Sequence, residues 1–67
     1  MDLEKLKQIG REILQSMKTD RVRATTRSNL RSVIVCRIQA RVDLVSEESR
    51  RYVGNFLMAQ YGYGGGI

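Results

Sequence analysis

IVCRIQARVDL, residues 34–44, places Ile34, Cys36, Ile38, Ala40, Val42 and Leu44 on one side of an extended chain. Val35, Arg37, Gln39, Arg41 and Asp43 fall on the other side. A side-chain period of two is the period of a β-strand. Read this way, the segment is a strand that is apolar on one face and carries arginine on the other. Upstream, RVRATTR at 21–27 repeats the pattern, with Val22, Ala24 and Thr26 alternating against Arg21, Arg23, Thr25 and Arg27.

Between the two runs, SNLR has turn chemistry, because Asn tolerates a left-handed backbone. Opposed residues of an antiparallel pair share a face, so even residues must meet even residues. An odd-length loop, Asn29-Leu30-Arg31, meets that condition. It sets Val22 beside Ile38, Ala24 beside Cys36 and Thr26 beside Ile34. Arg21, Arg23, Arg27, Arg37 and Arg41 then gather on the opposite face, with Arg31 at the loop. Val42, Leu44 and Val45 outrun the first strand, and an apolar strand end left unpaired calls for a helix or another chain to cover it.

The flanks read as helices. Asp2 is a capping residue, and Leu3, Leu6, Ile9, Ile13, Leu14 and Met17 follow at helical spacing. Ser46 opens a second helix, with Glu47 and Glu48 in its first turn and Tyr52, Val53, Phe56, Leu57 and Tyr61 on its apolar stripe. Gly10 and Gly54 interrupt the two helices near their middles, which points to a close crossing. The expected fold is therefore α+β: a helix, a two-stranded antiparallel hairpin with a long second strand, and a helix. One domain spans 1–61, and YGYGGGI leads into a glycine-rich tail at 62–67. Tyr61, Tyr63 and Ile67 are candidate side chains for docking on a neighbour.

Composition narrows the chemistry. The 67 residues include one Cys and no His, which excludes an internal disulfide, an imidazole base and a zinc site built on histidine. Cys36, inward on the strand, reads as a small core residue. No metal, cofactor or small-molecule substrate is expected, and the chain reads as a non-enzyme. No fully apolar run is longer than VIVC, which is far short of the ~20 residues that span a bilayer. The first residues carry acids and lysines in place of a leader's apolar run, so a soluble, intracellular chain is expected.

The net charge of +5 is concentrated in the middle of the chain. Residues 19–45 hold Arg21, Arg23, Arg27, Arg31, Arg37 and Arg41 against only Asp20 and Asp43. Arginine presents a planar fork of donors suited to phosphate or carboxylate. These six residues are the candidate site for nucleic acid or an acidic partner. The face has no aromatic residue on which a single strand could stack, so contact with the nucleic-acid backbone is favoured over sequence reading.

MKTDRV at 17–22 and VSEESRRYV at 45–53, together with the order helix, basic hairpin, helix and tail, are similar to the head-completion proteins of lambda-like tailed phages. The hairpin is longer here than in that family, and the tail is glycine and tyrosine in place of basic residues. The resemblance implies a small subunit that readies a filled head to accept a tail. A structural subunit of a nucleic-acid-containing particle is accordingly the leading expectation, with copies of itself or other subunits as partners. A free dimeric DNA- or RNA-binding regulator is the alternative.

Overall fold

A computed structural model describes residues 2–23 and 26–63. It contains three helices: α1 over Leu3–Thr19, α2 over Arg27–Gln39 and α3 over Glu47–Gln60. No strand occurs among the described residues. The expected hairpin is thus overturned. Its loop and residues 34–39 of its second strand are parts of α2, while residues 40–44 form the cap and the turn that follow the helix. Of the first strand, Ala24 and Thr25 lie outside the described residues, and Thr26 and Arg27 belong to the start of α2.

The reason lies in which positions are buried. Leu30, Ile34 and Ile38 form the inward face of α2, each less than 5% exposed. A spacing of four residues satisfies a period of two as well as a helical stripe, so Ile34 and Ile38 cannot tell strand from helix. Leu30 and the half-buried Val33 extend the stripe at helical spacing, and Cys36, which a strand would turn inward, is exposed. Thr26 supplies the start signal: its hydroxyl accepts from the Asn29 N–H at 3.1 Å. Such a cap contributes about 1 kcal/mol. Leucine, arginine and glutamine also favour helix over strand.

The flanking helices match expectation, except that Leu3 and Tyr61, expected on their apolar stripes, are exposed. Asp2 accepts from the Lys5 N–H at 3.2 Å, and Ser46 accepts from the Ser49 N–H at 3.1 Å. Leu6, Ile9, Ile13 and Met17 of α1 meet Val53, Leu57 and Met58 of α3 in a single core. Helix α3 packs against both α1 and α2. Beyond α2 the chain turns, with the Leu44 N–H directed at the Arg41 carbonyl, and Leu44 alone plugs into the core. Val42 and Val45, expected to be part of the strand, are 92% and 79% exposed on this loop.

Gly10 sits where α1 meets Phe56 of α3. A β-carbon there would lie 2.6 Å from Phe56 Cδ1 and 2.9 Å from Cε1. Overpacking of this kind costs about 1–3 kcal/mol. Removing a helical glycine returns about 1 kcal/mol. Gly10→Ala is therefore expected to lower the urea midpoint, and Gly10→Val to lower it further. Phe56→Leu in the same chain should recover part of the loss; additive losses would mean that the two residues do not press on each other.

Candidate nucleic-acid interface

The arginine segment begins with the way α1 ends. Arg21 adopts a left-handed backbone, φ +54°, and its N–H donates to the Lys18 carbonyl at 3.1 Å. The Val22 N–H donates to the Met17 carbonyl at 3.0 Å, and the Val22 side chain packs on the core. This is a Schellman closure, which satisfies two carbonyls at the helix end and usually places glycine at the left-handed position. Helix α3 closes the same way with Gly62, φ +86°, and with a bond from the Tyr63 N–H to the Met58 carbonyl at 3.0 Å. One closure thus uses glycine and the other uses arginine.

A β-carbon in the left-handed region costs roughly 1–2 kcal/mol, partly offset by the chain entropy that glycine would lose. Arg21→Gly is expected to raise the thermal midpoint by a few degrees, since 1 kcal/mol shifts a domain of this size by about 4–8 °C. A lower midpoint would mean that the Arg21 side chain supports the fold.

Arg21, Arg23, Arg27 and Arg31 are all exposed. Arg27 and Arg31 lie one turn apart on the same side of α2. The first turn of α2 holds no acid, whereas α1 begins with Glu4 and α3 with Glu47 and Glu48. Positive side chains at a helix N-terminus face the positive end of the helix dipole, so positive potential accumulates here. Asp20, at the end of α1, is bound to a different arginine.

That arginine is Arg37, whose guanidinium donates to Asp20 Oδ2 at 2.8 Å and to Ser16 Oγ at 2.7 Å. Arg41 donates to both carboxylate oxygens of Asp43, at 3.1 and 2.9 Å, and to Glu12 Oε1 at 3.1 Å. The bond to Asp43 pushes the Arg41 pKa up, with Glu12 adding to it, and Arg41 in turn holds the Asp43 carboxyl below its ordinary range. Arg37 and Arg41 therefore tie the end of α2 to α1, their charges compensated within the chain. The expected single face of arginines divides into an outward set, Arg21, Arg23, Arg27 and Arg31, and this inward pair.

The remaining sequence candidates are dispersed. Cys36 is on the surface of α2, not in the core, because the helix turns it away from Ile34 and Ile38. Tyr61 is exposed, while Tyr63 packs against its own core as part of the α3 closure. Ile67 lies outside the described residues. Among the described residues, no group of three or more metal-ligating side chains occurs and no helix is long and apolar enough to cross a membrane. Sequence reading missed a groove between α2 and α3 edged by Arg50 and Arg51, because the groove exists only once residues 27–39 are helical. No protein-family model matches the chain, and neither a curated protein nor a solved structure is significantly similar to it.

Proposed function

We propose that this chain is a small non-enzymatic subunit of a nucleic-acid-containing particle. It contacts phosphates through Arg21, Arg23, Arg27 and Arg31, at the joint of α1 and α2. The observation that carries the reading is Arg21. An arginine occupies a backbone position that glycine would fill with less strain, and it opens a run of four exposed arginines beside a helix start without acids. A left-handed backbone at a residue other than glycine is strain of the kind that clusters at functional sites. Guanidinium groups recognise phosphate as planar bidentate donors, and affinity then comes from the release of counterions.

The particle setting draws on the small size of the chain, its arginine-rich middle and the two phage-like stretches, which lie at the end of α1 and the start of α3. The test is binding of labelled duplex and single-stranded DNA at low salt, with and without Arg21→Gly and Arg23→Ser. Loss of affinity for any DNA sequence, with the fold kept, supports the reading. Undetectable binding to duplex and single strand at low salt overturns it.

A further inference from the structure

The groove between α2 and α3 has a volume of about 290 Å³ and is lined by Arg31, Val35, Ile38, Gln39, Glu47, Arg50 and Arg51. Its floor is aliphatic: Ile38 is 4% exposed and Val35 is half-buried. Its rim is basic, with three guanidinium groups against one carboxylate.

These charges are poorly compensated. Arg51 lies 3.8 Å from Glu47, with both side chains largely exposed, and such a pair contributes little. Arg50 is held by neutral groups, donating to the Leu44 carbonyl at 3.0 Å and to the Val45 carbonyl at 3.5 Å. That fixes its position without cancelling its charge. Arg31 is exposed and forms no ion pair among the described residues.

We infer that this groove is a docking site for an acidic protein segment, one that places a large apolar side chain on Val35 and Ile38 and carboxylates on Arg31 and Arg51. The volume suits one such side chain. The combination of buried apolar anchor and charged rim is the usual anatomy of a small recognition site. A nucleic-acid strand fits less well, because the aliphatic floor offers no aromatic ring for a base. A second copy also fits less well, because two such faces would oppose positive charge to positive charge. The groove shares Arg31 with the phosphate-binding reading, but its apolar floor of Val35 and Ile38 and its Arg51 lie outside that site.

The test uses a blocked hexapeptide with one central leucine flanked by glutamates, titrated into the isotopically labelled full chain and followed by amide chemical shifts. Controls are the same peptide with glycine for leucine, the same peptide with lysine for glutamate, and a short DNA duplex. The expected result is saturable shifts at Val35, Ile38, Gln39 and Arg50, weakened at least tenfold by glycine in the peptide. Val35→Glu and Arg51→Glu should each weaken binding at least tenfold while the undisturbed spectrum shows the fold intact. Arg21→Gly should change the duplex titration and leave the peptide titration as it was. Equal binding of the glycine peptide, binding unaffected by Val35→Glu, or shifts at these residues from the duplex in place of the peptide would each overturn the inference. So would the same shifts arising on concentrating the free protein, because the groove would then be filled by a second copy.

Discussion

Ile34→Asp is expected to abolish the folded state, while Cys36→Lys, two residues away, leaves it nearly unchanged. Ile34 is wholly buried between α2 and α3, and an unpaired carboxylate there costs several kcal/mol. A single core of this size rarely supplies more than about 3–5 kcal/mol, so the loss exceeds what the domain holds. Cys36 faces water, and lysine is a good helix former that suits the C-terminal half of a helix. Its replacement should move stability by no more than about 0.5 kcal/mol. Far-ultraviolet circular dichroism with thermal melts measures both. If Cys36→Lys unfolds the chain as completely as Ile34→Asp, residues 34–44 are a strand with all even positions inside.

Salt dependence is the second large effect, because it separates the arginines that face outward from those that face inward. Each neutralised phosphate contributes about −0.9 to the slope of log K against log salt. Four contacts give a slope of about −3.6, hence roughly a hundredfold loss of affinity between 50 and 200 mM salt by the same relation. Replacing Arg23 and Arg27 with serine should flatten the slope by about two units for every DNA sequence, since phosphate contacts carry no sequence information. Arg37→Gln should leave the slope alone and lower the thermal midpoint, because its guanidinium is spent on Asp20 and Ser16. A slope changed equally by Arg23→Ser and Arg37→Gln would show that the two sets act as one surface.

The opposite fates of Arg37 and Arg23 show how much of the candidate site could be read in advance. That arginines crowd the middle of the chain is a property of composition. That Arg37 is held by Asp20 and Arg41 by Glu12 follows from helix packing that brings residues 17 and 29 positions apart into hydrogen-bond range. No periodicity within residues 34–44 reports on those partners. The groove at Val35 and Arg51 was hidden for the same reason, since its two walls come from separate helices.

Local signals by themselves determined α1 and α3. Asp2 and Ser46 are short polar side chains placed to cap a free N–H, and each precedes an apolar stripe of unambiguous helical period. Such features act over three or four residues, within reach of sequence reading. The middle segment was different. Leu30, Ile34 and Ile38 fit two periods at once, and the positions that distinguish them, Val33 half-buried and Cys36 outside, take their sides only when α2 packs on α3. Burial of Leu30, Ile34 and Ile38 against Val53 and Leu57 gains more than an exposed two-stranded ribbon could, because an isolated hairpin is marginal in water without a further surface to cover its apolar face. The tertiary structure therefore settled helix over strand, and with it which arginines face water.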